Sequence, residues 1–198
     1  MSRLGFLSHA PSYQQVSGDS VELLKDIASL KSVNLGEAST DDDDQNKRAS
    51  ACDSDSMCLI TSFLSVSGTD PSASVTRLLQ KLVRMLRTCK YADEDIIGVL
   101  AVAACHHQSF ISTLEKPVSV SERGFILVAQ IYIAHCIVLD EYCAISNWHR
   151  YLFSTYCDLR GLNSAVSRIL KRMDWRLTVD QARIDSYIHV LTCAHNHQ

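Results

Sequence analysis

The sequence predicts an all-α fold, and three observations predict it. Helix breakers are rare: 198 residues hold 7 Gly and only 3 Pro, at positions 11, 71 and 117. From Pro71 onward apolar residues recur with a helical period, not a strand alternation. One stretch, Phe125 to Leu139, is apolar on nearly every side. A helix of that kind needs others around it, so it predicts a buried centre within a bundle.

The elements follow in order. Val75, Leu78, Leu79, Leu82, Val83 and Leu86 trace one amphipathic stripe, with Arg77, Lys81, Arg84 and Arg87 mainly opposite; this is a first helix, ending at Lys90 and Tyr91. Asp93, Glu94 and Asp95 suit the positive end of a second helix. It runs through Ile96, Ile97, Val99, Leu100 and Val102 to about His107. Ser119 and Glu122 have capping-box spacing and open the third, Gly124 to about Leu139. Ser146 or Asn147 caps a short fourth helix with Trp148, Tyr151, Leu152 and Phe153. Gly161 and Asn163 mark a break before the fifth, which gathers Val166, Ile169, Leu170 and Met173 on one face. Trp175, Leu177 and Val179 leave it in a non-helical segment. Asp180 starts a last helix with Ile184, Tyr187, Ile188 and Leu191 inward.

Residues 1–70 differ. Serine abundance, the acidic run Asp41 to Asp44 and weak periodicity predict a largely disordered extension. Within it, Asp19 or Ser20 can cap a short helix over residues 20–31, and the patch Met57 to Leu64 is apolar enough to pack on the domain.

Composition narrows function. A net charge of -3 argues against a general nucleic-acid binder, which needs a basic face to neutralise phosphates. Eight cysteines without a CxxC pair, several in apolar helical runs, read as free thiols of a reducing compartment. Residues 1–10 hold no signal-peptide core. The run at residues 125–139 is shorter than the roughly 20 residues that span a bilayer. The expectation is a soluble intracellular protein, in cytoplasm or nucleus, with no membrane partner.

Candidate chemistry is thin. Cys105, His106 and His107 are consecutive on a helix and point about 100° apart, so they do not converge on one metal ion. Cys193, His195 and His197 alternate near the end of the chain, where fraying is the simpler reading. His135 and Cys136 lack a third orienting group. No phosphate loop, GxSxG or HExxH is present. No catalytic residue, metal ligand or cofactor is expected, and the chain is not expected to be an enzyme.

The stretch LNSAVSRILKRMDWRL, Leu162 to Leu177, is similar to the fifth helix and exit of a cyclin box, of LNxLExxFLxxLDFxL type. LDEYCAISNWHRYL, Leu139 to Leu152, resembles the family's link between third and fourth helices. Val75 to Gln108 aligns without a gap to the opening helix pair. The closest resemblance is to the short single-box cyclins of the phosphate-pathway type found in fungi and protozoa, over about residues 72–180. It implies a five-helix cyclin-box bundle at residues 71–180 around a buried central helix. A C-terminal helix and tail follow at residues 181–198. It further implies a regulatory subunit that binds and activates a cyclin-dependent-type Ser/Thr kinase. The third and fifth helices would then dock the kinase's mobile regulatory helix, by population shift. By position the partner-binding candidates are His135, Leu139, Asp140, Glu141, Val166, Lys171 and Asp174; the structural ones are Arg77, His106, Trp148 and Trp175.

Departures from the family qualify this. Arg77 matches an Arg that pairs with an Asp of the second helix in many cyclins, but His106 stands where the Asp would be. An imidazole cannot make a bidentate carboxylate pair. The family's kinase-contact Lys falls between Ala134 and Ile137, where His135 is the only basic residue, and its Glu falls at Val166. Losing both members of a pair can be nearly neutral. The alternative expectation is a degenerate cyclin-fold adaptor that binds other proteins without activating a kinase.

Overall fold

The computed structural model describes residues 46–140 and 143–196. The described residues form helices joined by turns and short loops and include no strand, an all-α architecture. The helices are α1 (Asn46–Ser67), α2 (Ala73–Thr88), α3 (Asp93–Ser112), α4 (Val120–Val138), α5 (Ile145–Trp148), α6 (Leu159–Arg172) and α7 (Gln181–Asn196). α5 continues into a π-helical turn, His149–Phe153. None of the described helices is long and apolar enough to cross a membrane.

Local chemistry sets the helix ends. The Ser72 hydroxyl accepts the Val75 N–H at 3.3 Å and starts α2. Ser119 and Glu122 close a reciprocal capping box on α4, with Ser119 N–H donating to Glu122 Oε2 at 2.8 Å. Asp158 Oδ1 accepts the Gly161 N–H at 2.7 Å and starts α6. The break expected at Gly161 therefore lies inside the first turn of α6. A Cβ at Gly161 would stand 3.0 Å from Asp158 Oδ1, so glycine is what lets the cap close.

Three helices end in the same left-handed turn, with two backbone bonds closing back onto the last helical carbonyls. After α1 the turn residue is Gly68, φ 69°; Gly68 and Thr69 N–H reach the Ser65 and Leu64 carbonyls at 3.1 and 3.0 Å. After α2 it is Lys90, φ 66°, and after α6 it is Asp174, φ 50°. Neither of the last two is glycine, so both turns carry strain.

The core is built around two helices rather than one. α4 is buried from Ile126 to Ala134 with only Tyr132 partly open, and it packs on α2, α3 and α6. α3 is buried from Ile96 to His107 apart from Gly98, and packs on α1, α2, α4 and α7. The single greasy rod expected at the centre is thus one half of an α3–α4 pair. Ala101, Ala103 and Ala104 are small enough to let neighbours approach α3 on every side. The far end of α4 leaves the interior: Ile137 and Val138 are 42% and 39% exposed.

α1 lies ahead of Pro71 and contributes to the same core. Its residues Leu59, Ile60, Phe63 and Leu64 are core, so the apolar patch within Met57 to Leu64 packs on the domain as its composition predicts, as part of a 22-residue helix. The short helix expected at residues 20–31 lies outside the described residues. α7 packs on α1 and α3 and buries Leu191, so the appended helix belongs to the same core. One polar cluster ties this layer to α2. Arg87 donates to Asp93 Oδ1 at 3.0 Å and to Ser56 Oγ at 2.8 Å, and His195 Nε2 lies 3.5 Å from Asp93 Oδ2.

α2 meets α4 closely at Gly124. A Cβ there would stand 2.2 Å from Val75 Cγ2, so only glycine permits this crossing. α5 starts at Ile145, with Ala144 at its cap position and no side-chain cap; the cap expected at Ser146 or Asn147 is not formed. The π-helical turn sends Leu152 and Phe153 inward and leaves Tyr151 in water.

Candidate functional site

Three groups of residues were candidates for function, and the fold treats each differently. The first is Cys105, His106 and His107 at the buried end of α3. The His107 ring Nδ1 lies 2.7 Å from Gln130 Oε1, and Nε2 lies 3.2 Å from the Thr69 hydroxyl. A carboxamide oxygen only accepts, so Nδ1 carries the proton and Nε2 accepts from Thr69. Gln130 Nε2 donates to the His106 carbonyl at 3.4 Å, which sets the amide's orientation. Burial holds the His107 pKa down to about 4, against the Gln130 hydrogen bond, which raises it. His106 faces elsewhere: Nε2–H donates to the Leu177 carbonyl at 3.1 Å, and burial lowers its pKa too. Cys105 is buried, and burial pushes its thiol up. The three side chains diverge, each neutral and structural.

Among the described residues no group of three His, Cys, Asp or Glu is placed to hold a metal ion. Cys193 Sγ lies 3.9 Å from the His189 ring while His195 turns to Asp93; His197 lies outside the described residues.

The second group is the C-terminal end of α4. His135 is only 1% exposed. Its ring sits edge-on to Tyr91 at 5.2 Å and Trp148 at 5.4 Å, and Tyr132 meets Trp148 at 5.3 Å. The Tyr132 hydroxyl donates to the Cys143 carbonyl at 3.2 Å. This cluster joins the α2–α3 turn, α4 and α5, so the His135 side chain, expected at a partner surface, lies in the interior. Trp148 is likewise core. Beyond it Ile137 and Val138 face water, Leu139 is partly buried, and Asp140 is exposed with φ 48°. Glu141 lies outside the described residues.

The third group is α6 and its exit. Val166, expected at a partner surface, is buried. Lys171 and Asp174 are exposed. Trp175 was expected to be structural; instead it is 61% exposed with φ 56°. The left-handed turn at Asp174 reverses the chain and carries the indole out of the core. Two consecutive left-handed residues cost roughly 1–2 kcal/mol each, and a bulky residue there is an outlier.

The α4 end and the α6 exit are not one surface. Val138 Cγ1 lies 3.7 Å from where a Gly98 Cβ would be, near the start of α3. Arg172 donates to the Thr113 hydroxyl, at 3.3 Å, and carbonyl at the other end of α3. Those α3 positions lie about 20 Å apart along the axis at ~1.5 Å per residue. Of the expected contacts, Leu139 and Asp140 share one end, and Lys171 and Asp174 the other. Arg77 is exposed on α2 while His106 turns to Leu177, so the clamp of the family pattern is not made.

Sequence reasoning missed Gln108, whose amide joins three helices. It donates to the Val66 carbonyl and accepts from Arg183 and from Tyr187 Oη, the last at 2.9 Å. No local signal marks a glutamine for that role. Comparison of the chain with family models, curated proteins and solved structures finds no match.

Proposed function

We propose that the chain is a non-enzymatic regulator built as a single cyclin-like helical box, which binds a Ser/Thr kinase of the cyclin-dependent type. The observation that carries the reading is the end of α4. A helix buried for most of its length ends in two large aliphatic residues, Ile137 and Val138, that face water beside the exposed Asp140. Apolar residues there do little for the fold. Covered by a partner, each contributes about 1 kcal/mol from the area removed from water. The packing of α4 on α2, α3 and α6 supports the box. Binding would act by favouring one conformation of the kinase.

A second reading, an adaptor that binds without activating, is favoured by the burial of His135 and Val166. These stand where the family's kinase-contact Lys and Glu fall, and both side chains are buried within the bundle.

Affinity capture with the full chain, followed by a peptide-phosphorylation assay, tests both. Recovery of a Ser/Thr kinase whose activity rises with added chain supports the first reading. In that case an Ile137→Asp, Val138→Asp variant should lose capture at least tenfold. Capture without stimulation supports the adaptor. Recovery that is indifferent to the α4 substitutions refutes the surface.

A further inference from the structure

Trp175 is the largest exposed apolar side chain among the described residues, and the fold goes to some length to hold it there. Its N–H bonds the Leu170 carbonyl at 2.9 Å, Asp174 N–H bonds Lys171 O at 3.0 Å, and Arg176 N–H bonds Met173 O at 2.9 Å. Just beyond, the Leu177 carbonyl is gripped by buried His106. On the near side Arg172 is tied to Thr113. The turn is thus fixed at both ends, and its strain is not repaid by packing of the indole. A rigid, projecting Trp is the residue type that most often dominates a protein interface, and pre-organisation lowers the entropy lost on docking.

The charge along this segment of the chain is one-sided. Between residues 168 and 176 Arg168, Lys171, Arg172 and Arg176 stand against Asp174 alone, on a chain whose net charge is -3. Lys171 and Arg176 flank the turn and are exposed. We infer that the α6 exit is a second docking site, centred on Trp175 and flanked by Lys171 and Arg176, for an acidic segment of a partner protein. The acidic segment supplies the charge complement, and an apolar residue within it meets the indole. A nucleic-acid strand fits less well: one aromatic side chain offers a single stacking platform where strand binding uses several along a basic groove.

The test is fluorescence anisotropy of a labelled peptide of about twelve residues, Glu and Asp around a central Leu-Leu pair, titrated with the full chain. The acidic peptide should bind, and a Lys-rich counterpart should not. Trp175→Gly should weaken binding at least tenfold while raising the thermal midpoint, because it relieves the left-handed strain. Lys171→Glu with Arg176→Glu should weaken it at least tenfold, with salt reducing the affinity of the parent chain. The inference is overturned if the peptide does not bind, or if Trp175→Gly binds as tightly as the parent. It is overturned also if Trp175→Gly lowers the midpoint, which would make the indole a packing residue. A labelled oligothymidine binding more tightly than the peptide would likewise overturn it. The assay contains no kinase, so its outcome is independent of the α4 surface.

Discussion

Acid should weaken this bundle through one identifiable ring. His107 is buried and neutral, donating from Nδ1 to Gln130 and accepting at Nε2 from Thr69. Its folded pKa is about 4, against the ordinary 6.5. A histidine whose folded pKa is depressed contributes fully above its unfolded pKa, and loses that contribution as pH falls through the window down to the folded pKa. Here the window runs from 6.5 to about 4. Between about pH 7.5 and 5 the unfolded chain takes up nearly a whole proton and the native ring about a tenth of one. Integrated, this removes about 2 kcal/mol of stability, with a slope near pH 5.5 of about 1 kcal/mol per pH unit. His106 shifts in the same direction and adds to it. Urea unfolding followed by far-UV circular dichroism across that pH range measures the loss. His107→Leu keeps most of the volume but leaves Gln130 and Thr69 without their partner, at about 1–3 kcal/mol per stranded group. That variant should be less stable at pH 7.5, yet its slope near pH 5.5 should be shallower by about 1 kcal/mol per unit. An NMR titration of the His107 ring reads the same event in the native chain. A ring midpoint near 6.5, or a variant with the parent's slope, would refute the reasoning.

Three further outcomes follow from single contacts. Gly124→Ala should destabilise by about 1–3 kcal/mol, since its Cβ would overlap Val75 Cγ2; adding Val75→Ala should cost less than the two changes summed, in a double-mutant cycle of urea midpoints. Lys90→Gly should stabilise by about 0.5–1 kcal/mol, the relief of a left-handed φ less the added freedom of the unfolded chain, and a drop in thermal midpoint would contradict it. Ser119→Ala removes one half of the capping box on α4 and should cost about 1 kcal/mol, with Ser119→Asp largely restoring it.

What could be read from the chain alone was whatever depends on near neighbours. The α2 stripe Val75 to Leu86 is buried residue for residue as its spacing requires. The Ser119–Glu122 box forms where four residues specify it. Both are local, since a helix period and a cap bond are settled within a few turns. α1 was harder to see, because Asn46 to Ser56 dilutes the apolar face that Leu59 to Leu64 carries.

The tertiary structure alone decided which polar and aromatic residues face in. His135 lies in an apolar run of the sequence and Trp175 closes the apolar stripe of α6 between Asp174 and Arg176, yet His135, a titratable ring, is sealed among Tyr91 and Trp148 while the indole of Trp175 projects into water. The difference arises from partners distant in the chain: Tyr91 lies 44 positions before His135, and Leu177, which anchors the Trp175 turn, bonds His106, 71 positions away. The split of the expected contacts between two ends of the bundle has the same origin. Helix direction and crossing are set by close approaches such as Gly124 on Val75, and by buried polar pairs such as His107 with Gln130. Those contacts exist only once the helices have met, so no local pattern encodes them.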